Sequence, residues 1–158
     1  MARANVYEVT LADLPEQRTA VVCGHADTSE GIGDFLGGAY GEVMGLVGRQ
    51  NLRPAGMPFG RYRITADGFD IEAGIGVEGD LRPEGHVEAS TLPGGRTTRT
   101  MHIGAYSGVA AAYEAVASWL KDNGHVSTDA PWECYLDEPN VPEPRTEVFF
   151  PCREALNT

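Results

Sequence analysis

Strand-like blocks of apolar residues recur along the chain, each broken by glycine or proline. "YEVTL" at 7–11 and "RTAVVCG" at 18–24 alternate or run apolar, and a Leu-Pro step separates them. They predict two strands. A helical stretch follows over about 28–50. "RYRIT" at 61–65 and "FDIEAGIGV" at 69–77 predict two more strands, joined by a turn at Ala66-Asp67-Gly68. The order then returns: "HVEAST" and "TTRTMHI", a helix, "WECYL" and "TEVFFPC". In the second helix Ser107 is placed to cap. Val109, Tyr113, Val116 and Leu120 lie along one face, Lys121 suits the last turn and Gly124 the C′ position.

The recurrence extends to sequence. "LPEQRT" at 14–19 echoes "LPGGRT" at 92–97, and "PFGRY" at 58–62 echoes "PWECY" at 131–135. Glu72 in "FDIEAGIGV" matches Glu147 in "PRTEVFFPC". The three matches keep their order at a spacing of roughly 75 residues, as a duplicated unit would. The expectation is an α+β fold in one domain, 1–158, with internal repeats over approximately 6–80 and 86–153. Each repeat reads strand, helix, hairpin.

The first helix is unusual. Gly33, Gly37, Gly41 and Gly45 form a bare stripe, and each costs about 1 kcal/mol relative to alanine. Either a backbone or flat ligand comes close, or the helix is weak. The spacing is neither a Rossmann nor a phosphate-loop fingerprint.

Composition narrows the function. At 158 residues, with 42% apolar and 22% charged content, the chain can bury a real core. Its net charge of −11 and its single lysine, Lys121, argue against nucleic acid and weakly favour cationic ligands. No stretch reaches the length of a membrane span, and "MARANVYEVTL" lacks the apolar region of a signal peptide. A cytoplasmic location is expected, with no membrane partner and no room for a helix-turn-helix. Cys23, Cys134 and Cys152 make no C-x-x-C, and His86, His102 and His125 show no ligand spacing. "CGH" at 23–25 could offer two ligands, but a small buried Cys beside a turn explains it. No metal and no cofactor are expected.

Glu147 sits among strong strand formers. Arg145, Glu147 and Phe149 share one face; Thr146, Val148 and Phe150 share the other. Both faces carry a phenylalanine, so neither is plainly wet. Glu147 either pairs with Arg145, Arg96 or Arg99, lies on a solvated face, or is buried for a purpose. Glu72 occupies the matching position of the first repeat. Trp132, Tyr135, Phe59, Tyr62 and Tyr106 are candidate aromatic walls, with core packing as the plain alternative. Trp119 lies within a helix and reads as core.

"LPGGRTTRTMHIGAYSGVAAAYEAVASWLKDNGH", "PWECYLDEP" and "RTEVFFPC" resemble the GyrI-like small-molecule-binding domain. That domain is also the effector-binding part of some AraC-type and MerR-type multidrug-responsive activators. "PFGRY" and "FDIEAGIGV" match its first half; the glycine-rich helix departs from the pattern. The resemblance implies two similar halves with antiparallel sheets, a pseudo-two-fold axis and a ligand cleft between them. It implies an acidic, aromatic-lined site for small hydrophobic or cationic, drug- or toxin-like molecules in a free-standing member. The Thr-Glu strand then supplies Glu147 as the carboxylate that meets the cation. Trp132, Tyr135, Tyr106, Glu72, Phe59 and Tyr62 would line the site. The resemblance also leaves open a hydrolase that opens the cyclopropane of DNA-alkylating natural products. There Glu147 would activate water, Tyr106 or Tyr135 would serve as acid, and Trp132 would stack on the substrate. A gyrase-interacting inhibitor is a third reading, and a homodimer is the assembly left open.

Overall fold

The computed structural model describes residues 7–28, 31–138 and 140–156. Residues 29 and 30, at the start of the expected first helix, and Pro139 lie outside them. The elements run β1 (Thr10–Leu14), β2 (Gln17–Ala26), α1 (Ile32–Arg49), β3 (Arg53–Pro54), β4 (Phe59–Thr65), β5 (Gly68–Glu78) and β6 (Val87–Leu92). They continue with β7 (Gly95–Ile103), α2 (Ala110–Asp122), β8 (His125–Ser127), β9 (Trp132–Tyr135) and β10 (Arg145–Glu154). The fold is α+β, and its named strand pairs are antiparallel.

The chain gathers into two compact units. One is Pro15–Gly94; the other joins the segment up to Leu14 with everything from Gly95 onward. In the first, the strand order is β4-β5-β2-β6, with β3 on β5. In the second it is β1-β7-β10-β9, with β8 on β10. The strands before and after each Leu-Pro step therefore fall in different units: β1 pairs with β7, and β6 pairs with β2. The repeated Leu-Pro step accounts for this. Proline biases the residue before it towards extended backbone, so the chain runs on instead of folding into a hairpin. Leu14-Pro15 and Leu92-Pro93 both lie at the joints where the chain passes from one unit to the other.

In the Pro15–Gly94 unit, alternation sorts side chains by face. Ala20, Val22, Ala26, Ile71, Ala73, Ile75, Val77 and Val87 pack with Ala39, Val43, Leu46 and Val47 of α1. A side chain at Gly24 would collide with the Phe35 ring, so this strand position admits the helix only as glycine. The β4–β5 hairpin turns at Ala66-Asp67, with Gly68 at φ +140°. The glycine stripe of α1 faces open space: a Cβ at Gly33, Gly37 or Gly41 would meet nothing within 4 Å. At Gly45 it would come within 3.1 Å of the Arg49 guanidinium. No backbone from the described residues approaches the stripe.

In the other unit Val116 and Leu120 of α2 are buried with Cys152, and Val9, Trp119 and Phe150 pack beside them. Gly124 takes φ +68° just past the helix, as the sequence predicts. The start differs. A 3-10 turn at Tyr106–Gly108 leads into α2, and Val109 occupies the N-cap without a side-chain cap bond. Ser107 lies inside that turn, two residues too early to cap the helix.

Candidate binding site

Residues directly opposite one another in an antiparallel ladder share a face. In β10, Glu147 faces Cys134 and Met101, and Phe149 faces Trp132 and Arg99. One residue along, Thr146 faces Tyr135 and His102, and Val148 faces Glu133 and Thr100. The second set is on the α2 side, because the Tyr113 hydroxyl of α2 donates to Glu133 Oε1 at 2.6 Å. Sheet backbone thus separates Glu147 and Trp132 from Tyr135. Tyr106 meets Tyr135 edge-on, with ring centroids 5.8 Å apart, and so goes with the α2 face.

The deeply buried carboxylate is Glu133, at 6% exposure. Nothing in the strand pattern singles it out as a candidate. Burial raises its carboxyl above the ordinary range; hydrogen bonds from Tyr113 and Tyr135 oppose that rise. Among the described residues no Arg or Lys pairs with it. Tyr106 and Tyr135 are half-buried beside it, and Tyr106 is itself pushed up, by burial first and then by the charges of Asp137 and Glu133. The Thr146 hydroxyl on the same face is buried and finds no hydrogen-bond partner among the described residues.

Glu147 is half-buried. Burial raises its carboxyl, against the pull of the Arg99 guanidinium. The other two candidate arginines are engaged elsewhere. Arg145 grips Asp137 through two contacts of 2.9 and 3.1 Å, and Arg96 lies 3.6 Å from Glu154. Trp132, at 3% exposure, stacks on Phe149 with centroids 5.3 Å apart and an interplanar angle of 14°.

The Pro15–Gly94 unit repeats this frame without its chemistry. Phe59 is 1% exposed and shares a face with Glu72, which accepts the Ser90 hydroxyl at 2.9 Å. Tyr62 lies on the α1 face against the apolar core. Gly60 stands where the other unit has Glu133. Both helices carry Ala-Tyr-x-x-Val, at Ala39–Val43 and Ala112–Val116. Tyr40, the counterpart of Tyr113, donates to the Phe59 carbonyl at 2.9 Å instead. Tyr113, by contrast, is bonded to a buried acid. Cys23 and His25 share a face but bond separately, to Glu88 and Asp70. No group of three metal-binding side chains forms among the described residues, and no described helix is long and apolar enough to cross a membrane.

The GyrI-like small molecule binding domain family matches residues 7–153, and the chain belongs to it. Among curated proteins none matches the sequence. The fold is that of the EcmrR C-terminal domain, with TM-score 0.83 at 20% identity, covering 96% of this chain and 100% of that one. It also matches EcmrR in a cryo-EM structure of its DNA complex, with TM-score 0.79 at 21% identity; 95% of this chain spans 58% of that one. A protein described as a hydrolase from Listeria innocua gives TM-score 0.65 at 14% identity, covering 92% of each chain. SAV2435, solved bound to tetraphenylphosphonium, gives TM-score 0.63 at 15% identity, covering 92% of this chain and 94% of that one.

Proposed function

We propose that this protein binds small lipophilic cations at Glu133, with Tyr113, Tyr106 and Tyr135 around the carboxylate. One observation carries the reading: a buried acid held by neutral phenols, with no Arg or Lys partner among the described residues. An ionised carboxylate in such a place is costly. Two phenol donors offset part of that cost, and burial still dominates. A cation that brings its own apolar surface supplies the missing charge. Aromatic rings add about 0.5–2 kcal/mol each through cation–π attraction. The tetraphenylphosphonium in SAV2435 is a ligand of this kind, and the chain's net charge of −11 favours one.

The test compares tetraphenylphosphonium with tetraphenylborate, which has the same shape and the opposite charge. Thermal shifts are recorded for wild type, Glu133→Gln and Glu147→Gln. Stabilisation by the phosphonium alone, lost in Glu133→Gln and kept in Glu147→Gln, supports the reading. Equal responses to both ions would remove it.

A second reading is hydrolysis, favoured by the raised Glu133 carboxyl beside Tyr106. An acid whose ionised form is destabilised is a stronger base near neutral pH, suited to activating water against a strained-ring electrophile. Turnover of a cyclopropane-bearing alkylator, abolished in Glu133→Gln, would establish it.

A further inference from the structure

We propose that His102 is a positioning residue, anchored by Tyr7 and the Ala105 carbonyl, that fixes the Tyr106 turn beside Glu133. The proposal rests on the Glu133 reading and adds a residue to it. His102 is 2% exposed, on the α2 face of β7. A buried imidazole is costly unless both ring nitrogens are satisfied, and here both are. His102 Nε2 lies 2.9 Å from the Ala105 carbonyl. A carbonyl only accepts, so Nε2 carries the proton. In the neutral ring Nδ1 then accepts the Tyr7 hydroxyl proton, at 2.9 Å. The Tyr7 ring stacks on the imidazole, 6.0 Å between centroids, and the Thr100 hydroxyl donates to the Glu8 carbonyl at 3.0 Å. The segment carrying Tyr7 is thereby tied to β7.

The Ala105 carbonyl also accepts the Gly108 amide at 3.0 Å, closing the 3-10 turn that holds Tyr106. Gly104, at φ +124°, aims the chain into that turn. Gly108 lies directly over the imidazole: a Cβ there would come within 3.2 Å of His102 Cε1. The ring therefore sets both the orientation of the turn and its height above the sheet. Tyr106 carries this placement to Tyr135 by its ring edge, and Tyr135 bonds Glu133. The connection runs from Tyr7 through His102 and the turn to the buried acid. None of these steps requires His102 to touch the ligand.

Calorimetry with tetraphenylphosphonium and NMR on the full chain test the proposal. His102→Leu deletes both bonds, whereas His102→Gln can place an amide donor near the Nε2 position. A hydrogen bond carries about 0.5–1.5 kcal/mol net, so His102→Leu should weaken the cation up to about tenfold. His102→Gln should recover most of that. On a Tyr106→Ala background His102→Leu should cost nothing further, because its effect passes through Tyr106. Additive losses, or a Gln variant as weak as Leu, would overturn the proposal. Tyr7→Phe keeps the imidazole and stands in should His102→Leu fail to fold. It should remove the donor to Nδ1, seen in imidazole nitrogen shifts, and weaken the Tyr106–Tyr135 ring Overhauser contacts. Those contacts report on positioning whether or not the cation binds, and their persistence in Tyr7→Phe would also overturn it. Failure of the site reading shows separately, as unchanged binding in Glu133→Gln.

Discussion

Replacing Gly37 and Gly41 together by alanine should stabilise the protein. Both lie inside α1, both are exposed, and a Cβ at either would meet nothing within 4 Å. Neither takes the left-handed backbone that would strain an alanine. The substitution then acts mainly by reducing the freedom of the unfolded chain. Each site should gain about 0.4–1 kcal/mol, giving on the order of 1–2 kcal/mol for the pair. At about 2–4 °C per kcal/mol for a domain of this size, the midpoint should rise by roughly 5 °C. Urea unfolding followed by tryptophan fluorescence reads the free energy, and scanning calorimetry the midpoint. Gly74→Ala serves as the opposite control, because its Cβ would run into the Ala20 carbonyl. It should cost about 1–3 kcal/mol. A double variant that loses stability, or that keeps stability and loses cation binding, would show that the stripe is covered in solution. The reasoning from open space would then be wrong.

Tyr113→Phe should lower stability by about 1–3 kcal/mol, since it leaves a buried carboxyl short of a donor; denaturant unfolding measures this, and the Glu133 carboxyl should rise further. Cys23 is exposed, yet burial of its sulfur and the Glu88 carboxylate push its thiol up to about 12. At pH 8 its thiolate is scarce, roughly one part in ten thousand, so a disulfide reagent should modify the native protein far more slowly than the unfolded chain. Fast native labelling of Cys23 would contradict that environment.

Much of the fold was readable from pattern. Strand-forming runs closed by a turn marked the β4–β5 hairpin, strong strand formers marked β10, and the apolar face of α2 marked a helix docked on a sheet. The passage of the chain between units at each Leu-Pro step was not readable. A Leu-Pro step says that a hairpin is disfavoured, but not which distant strand the chain joins next. The site was half legible. Glu147 drew attention because it interrupts an apolar strand, whereas Glu133 sits in a four-residue strand between Trp132 and Cys134. Alternation alone puts Glu133 on the Tyr135 face. That it is buried depends on Tyr113, twenty residues earlier in sequence and on another element. The available signal was a tyrosine on the apolar face of α2 together with one two residues from a strand acid.

The most direct measurement is calorimetric titration of tetraphenylphosphonium into wild type and Glu133→Gln across pH, in buffers of differing ionisation enthalpy. The Glu133 carboxyl is raised in the free protein, so it holds a proton over a window above the ordinary glutamate range. A cation binds the ionised form. Wild type should therefore bind more tightly as pH rises through that window, and should release protons to the buffer on binding. Glu133→Gln should bind about ten- to a hundredfold more weakly, a loss of roughly 1.4–2.7 kcal/mol, with neither pH dependence nor proton release. Affinity unchanged in Glu133→Gln, or lost in Glu147→Gln alone, would put the cation on the other face of the sheet and contradict the account.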